Sequence, residues 1–159
     1  METSFLQELY TRFKQPWSQS AFISYFILLV LLAGGFGVII SITECYHGNW
    51  DKPEIISKSM ATYFVAVIGS SIVDLNLSYN IKNVPSWQIN STGAVLISAL
   101  LFYLSYNLNG WLSILPAFFG VLLAISIWVL ANADNERLND SAFFQKMRGK
   151  EEGHGNNWG

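Results

Sequence analysis

From Ala21 to Ile42 the chain reads AFISYFILLVLLAGGFGVIISI, without a charged residue. Lipid offers the backbone no hydrogen-bond partners, so a segment that crosses it must satisfy its own N–H and C=O groups as a helix. About 20 mostly apolar residues are needed to cross the hydrocarbon core in that form. This run meets both demands. It exceeds the apolar region of a signal peptide and no small-residue cleavage site follows, so it is expected to stay in the protein. A second run, Gly110–Leu130 (GWLSILPAFFGVLLAISIWVL), is of the same kind. Pro116 lies early in it, which predicts a kink or a broken first turn.

Two weaker spans lie between these. Ser59–Leu77 carries one acid, Asp74, near its end, and Thr92–Leu108 is short. The competing reading makes the middle pair soluble core, but neither shows the charged face of a surface helix. Asn107–Leu108–Asn109–Gly110 is a tight turn, with Gly110 free to adopt positive φ. The last two spans are therefore expected as an antiparallel hairpin.

Composition agrees with a lipid-embedded chain. Only 13% of the 159 residues are charged and 52% are hydrophobic, against about 25% charged in soluble domains. The net charge of −2 gives no electrostatic footprint for nucleic acid. A single cysteine, Cys45, excludes an intrachain disulfide or a cysteine-based zinc site.

Orientation follows from Lys and Arg in the flanks. Arg12 and Lys14 precede the first span, Lys82 lies in the second loop, and Arg137, Lys146, Arg148 and Lys150 follow the last span. Only Lys52 and Lys58 of the nine basic residues fall on the other side. Both termini are thus expected in the cytoplasm. Trp17, Trp50, Trp87 and Trp111 stand near span ends, where amphipathic rings suit the headgroup level.

The expected fold class is an all-α integral membrane protein with four transmembrane helices, at about 21–42, 59–77, 92–108 and 110–130. The bundle occupies residues 19–131. An N-terminal amphipathic helix (1–18) precedes it and a cytoplasmic C-terminal tail (132–159) follows. In the N-terminal segment Phe5, Leu9 and Phe13 recur at four-residue spacing, with Leu6 and Tyr10 beside them and Glu8, Arg12 and Lys14 off the stripe. Ser4 and Gln7 fit a capping box and Pro16 ends the pattern. Such a helix lies flat on the inner leaflet or packs on the bundle or another subunit.

Three groups of residues are candidates for function. Thr62, Ala66, Ser70 and Asp74 recur every four residues and share one face of the second span. A carboxylate in hydrocarbon is costly, so Asp74 should face the bundle, a water-filled cavity or a partner. The bland reading of this face is an interhelical hydrogen-bond network, or a carboxylate near enough to the inner interface to reach water. Ala33, Gly37 and Ser41 form a small-xxx-small face in the first span, which lets helices approach closely within the bundle or between copies. Phe143, Phe144 and Met147 make an apolar patch amid basic residues of the tail, a candidate docking site for a partner.

The outer loop Thr43–Ser57 holds Glu44, Cys45, His47, Asp51 and Glu54, but without recurring metal-ligand spacing. No catalytic constellation, phosphate loop or metalloprotease helix is present, so neither catalysis nor a cofactor is expected.

Small four-span proteins of this layout recur as membrane components of bacterial phage-defence systems. The second span, Met60–Ser78 (MATYFVAVIGSSIVDLNLS), resembles the membrane subunit of Kiwa-type anti-phage systems. The resemblance covers the layout and that segment. It implies a non-enzymatic inner-membrane subunit that senses phage attack at the envelope, assembles as a homo-oligomer and recruits or regulates a cytosolic effector. In that family the effector binds DNA, so this chain needs no direct contact with nucleic acid. The rival expectation is a small ion channel, pore-forming effector or transporter, with Asp74, Thr62 and Ser70 along a polar path. An accessory subunit without sensing is a third.

Overall fold

The computed structural model describes residues 5–48, 50–77, 84–135, 138 and 140. Every regular element among the described residues is helical. In order they are α1 (Phe5–Lys14), a 3-10 turn (Gln15–Ser18), α2 (Ser20–Tyr25), a π-helical stretch (Phe26–Gly34), α3 (Phe36–Gly48), α4 (Glu54–Leu77), α5 (Val84–Asn107), a second 3-10 turn (Gly110–Ser113) and α6 (Ile114–Asn132).

Three segments are long and apolar enough to cross a bilayer: Glu54–Leu75, Trp87–Asn107 and Gly110–Asn132. A fourth reaches that length as a bent pair, Leu6–Ser18 with Ser20–Gly34, which meet at 88°. The uncharged run Ala21–Ile42, expected as one span, is not one regular α-helix. It opens as α2, widens into the π-helical stretch and tightens again at Gly35, whose N–H bonds to the Leu31 carbonyl at 3.2 Å. Only glycine fits there, because a Cβ on Gly35 would collide with the Leu31 carbonyl oxygen. Moving from five-residue to four-residue hydrogen-bond spacing passes over one carbonyl. Tyr63 of α4 donates its hydroxyl to the Val30 carbonyl at this point, at 3.0 Å.

Boundaries shift elsewhere too. The expected outer loop 43–57 is largely helical, since α3 runs to Gly48 and α4 starts at Glu54. Pro53 explains that start: it lacks the N–H that a first turn would leave unpaired, and its carbonyl accepts from Ile56 and Ser57. The third span begins at Val84 rather than at residue 92. Its early hydroxyls, Ser91 and Thr92, return to the Gln88 carbonyl at 2.9 Å and leave the helix unbroken. Before Pro116 the chain forms a 3-10 turn, and the proline falls in the first turn of α6.

α4 is the central helix. It packs against α3, α5 and most extensively α6, burying Ala61, Phe64, Ile68, Ser71 and Leu75 along one face. Gly120 of α6 lies directly over the Phe64 ring, so close that a Cβ would overlap it. A separate cluster of Phe22, Phe26, Val30, Trp128, Val129 and Leu138 joins the start of the first span to the end of α6. Large apolar residues also cover the outside, among them Leu28, Leu96, Leu100, Leu115, Phe119 and Leu122. An apolar exterior around a packed interior is the inverse of a water-soluble surface.

The α3–α4 and α5–α6 connections share one end of the bundle, the loop end. Gly110 turns there with φ +63 and donates its N–H to Glu54 Oε1 at 2.6 Å. The buried Ser57 hydroxyl lies within reach of two carbonyls, Ser105 at 3.1 Å and Ser113 at 2.8 Å. Trp50 and Trp111 meet edge to face at 5.4 Å. Both are exposed, as is Trp17, whereas Trp87 is buried rather than placed at the surface of the bundle.

Candidate functional site

Two constructions stand out: a groove in the side of the bundle and a polar clasp at its terminal end. The groove lies between α3 and α4 and measures about 650 Å³. Thr62, Ala66 and Ser70 form its α4 wall, with Gly34, Gly37 and Val38 opposite and Lys58 and Tyr106 towards the loop end. Two of its hydroxyls bond back to their own helix, Thr62 to the Lys58 carbonyl and Ser70 to the Val67 carbonyl, both at 3.0 Å.

The structure thus brings part of the polar face and part of the small-residue face to one place. Asp74 is exposed one turn beyond Ser70 and is not part of the groove lining. Of the placements expected for it, this exposed position is that of a carboxylate open to water or a partner rather than to the bundle or a cavity; the buried face of α4 is already filled by Phe64, Ile68, Ser71 and Leu75. Nor, among the described residues, do Thr62 and Ser70 make interhelical hydrogen bonds. Other hydroxyls do so: Ser41 meets Ser59 at 2.5 Å, and Ser57 and Tyr63 bond as described above. Ser41 is buried against α4, Gly37 lines the groove and Ala33 is exposed. The small-residue face is therefore split between internal packing and open surface.

At the terminal end Arg12 of α1 is buried, with 6% of its surface exposed. Its guanidinium pairs with Asp134 at 2.5 Å and with Glu8 at 3.4 Å, and lies 5.6 Å from the centre of the Trp87 ring. Arg12 had been expected off the apolar stripe. Positions 5 and 12 are seven residues apart, however, and differ by only about 20° around a helix. Arg12 thus shares the inward side with Leu9, while Leu6 and Tyr10 are exposed.

Asp140 completes the clasp. Its carboxylate accepts hydrogen bonds from the Ser20 N–H and hydroxyl and from the Ala21 N–H. These bonds hold its carboxyl below the ordinary carboxylate range. Leu138 is buried beside it among Phe22, Phe26 and Trp128. The start of the expected tail is thus part of the folded bundle. The tail patch Phe143, Phe144 and Met147 lies outside the described residues, as does Ser4 of the capping box.

Sequence reading missed the clasp because its pairs are remote in the chain. The one local signal was the seven-residue spacing that returns Arg12 to the inward face. Among the described residues no three His, Cys, Asp or Glu side chains converge as a metal site. No known protein family, curated protein or solved structure matches this chain.

Proposed function

We propose that this chain is a multi-pass protein of the bacterial inner membrane, with both termini in the cytoplasm, and the non-enzymatic sensing subunit of an anti-phage defence system. In this reading it recruits or regulates a cytosolic effector and assembles as a homo-oligomer. The observation that carries the proposal is the clasp. It joins α1, the start of α5, the start of the first span and Asp134 and Asp140 beyond α6 at one end of the bundle.

The physical link is direct. Ser20 and Ala21 open the first span, so a tilt or shift of that span in a disturbed envelope pulls on Asp140 and changes the clasp. The excess of Lys and Arg on the terminal side supports a cytoplasmic placement. The defence assignment rests on the resemblance of Met60–Ser78 and the four-span layout to Kiwa-type membrane subunits. The test is phage plating on a host that expresses the chain together with any soluble DNA-binding protein encoded beside it; an isolated gene counts against the reading. Reduced plating, lost when Arg12→Ala opens the clasp, supports the reading; undiminished plating with the intact pair rejects it.

The groove favours a second reading, a channel or transporter with Thr62, Ser70 and Asp74 along its path. Ion or proton flux in proteoliposomes, abolished by Asp74→Asn, would establish it. Absence of flux from the wild-type chain sinks it.

A further inference from the structure

We propose that the α3–α4 groove binds an anionic phospholipid, with the headgroup phosphate at Lys58 and one acyl chain along Gly37, Ala66 and Ser70. This rests on the membrane-spanning reading and adds a specific ligand to it.

Charge selects the headgroup. Lys58 is exposed at the loop end of the groove, with its ammonium 5.8 Å from the Tyr106 ring centre. Among the described residues no carboxylate forms an ion pair with it; Glu54, one turn away, accepts the Gly110 N–H and meets the Lys58 charge only at longer range. A basic side chain near a membrane surface attracts anionic lipid.

Length selects the chain. From residue 58 to residue 70 a helix rises about 18 Å, a little over half the roughly 30 Å hydrocarbon core. The groove therefore spans about one leaflet, which suits an acyl chain descending from a headgroup. A helix from a second copy would run through both leaflets. The volume of about 650 Å³ falls within the roughly 300–1,000 Å³ typical of ligand sites.

The walls suit an apolar occupant. Thr62 and Ser70 already donate to their own backbone, and the Tyr63 hydroxyl donates to the Val30 carbonyl. A hydrocarbon chain would leave none of these donors unpaired, so its entry avoids that desolvation cost. Gly37 and Ala66 supply the room.

The test uses the full chain in non-ionic detergent, titrated with palmitoyl-oleoyl phosphatidylglycerol or phosphatidylcholine, with bound lipid resolved by native mass spectrometry. Phosphatidylglycerol should bind about fivefold more tightly, the effect of one basic residue at an anionic surface. Lys58→Ala should remove that preference and Lys58→Arg should keep it, while Ala66→Leu should weaken binding of both lipids. Equal affinity for the two lipids, or a preference indifferent to Lys58→Ala, overturns the proposal. So does an Ala66→Leu variant that changes oligomeric state with lipid binding intact, which assigns the groove to a second copy. Release of the chain from membranes by alkaline extraction would instead reject the membrane-spanning reading itself.

Discussion

Asp140 Oδ2 accepts both the backbone N–H and the hydroxyl of Ser20, each at 2.8 Å, although the two residues lie at opposite ends of the chain. Its Oδ1 takes the Ala21 N–H at 3.1 Å. Gln19, the residue preceding α2, makes no side-chain cap bond to that helix. It accepts the Asp140 N–H through Oε1 at 3.1 Å. The exchange has the reciprocity of a capping box, assembled here from two remote segments rather than within one helix.

This cap should be pH-dependent in a defined direction. The folded-state pKa of Asp140 is lowered by the Ser20 and Ala21 donors, so its contribution is present above the ordinary aspartate pKa of about 4. It is lost as pH falls through the lowered value. Hydrogen exchange at the Ser20 and Ala21 amides, corrected for intrinsic rate, should stay constant from about pH 7 to pH 5 and accelerate below about pH 4. Asp140→Asn should abolish that step; its persistence in the variant would assign it to another group.

Arg12 should matter more for stability than an exposed arginine. Opening a buried pair costs about 3–5 kcal/mol, but Asp134 keeps 30% of its side chain exposed, which lowers the expectation for Arg12→Met to about 2 kcal/mol. Thermal unfolding in detergent measures it. The double variant with Asp134→Asn should recover part of the loss, since it removes a carboxylate left without its cation.

Gly120 should tolerate no side chain. Gly120→Ala drives a methyl into the Phe64 ring, and overpacking of this kind costs about 1–3 kcal/mol. Phe64→Leu combined with it should be less destabilised than the two single effects added together, because contacting residues couple. Strict additivity would show that α4 and α6 do not meet at this crossing.

Tyr63→Phe removes the donor to the Val30 carbonyl while preserving the ring beside Gly34. The expected cost is about 1 kcal/mol, with the loss of amide protection concentrated around Gly34 and Gly35. Uniform loss across the bundle would argue against a local role.

Apolar run length and the energetics of backbone groups in lipid were enough to anticipate a helical chain. The turn before α6 was legible because Gly110 alone there tolerates positive φ without a Cβ clash. The boundaries were less so, since Pro53 and the back-bonding hydroxyls of Ser91 and Thr92 extend helices into stretches that hydropathy treats as loop. The π-helical widening was invisible because Ala33–Gly34–Gly35 reads simply as small residues.

What the sequence determined by itself is the kind of object: apolar runs that must be helical, and the separation of charge from those runs. Those properties are local, and each follows from a residue and its near neighbours along the chain. Tertiary structure alone decided that Arg12 is buried under Asp134, that Asp140 caps Ser20, and that Ser41 of the small-residue face closes on Ser59 while Gly37 opens onto the groove. These depend on which helices lie side by side, and hydropathy gives every lipid-compatible face the same score. Close packing, such as Phe64 under Gly120, distinguishes those faces because it admits one arrangement of volumes.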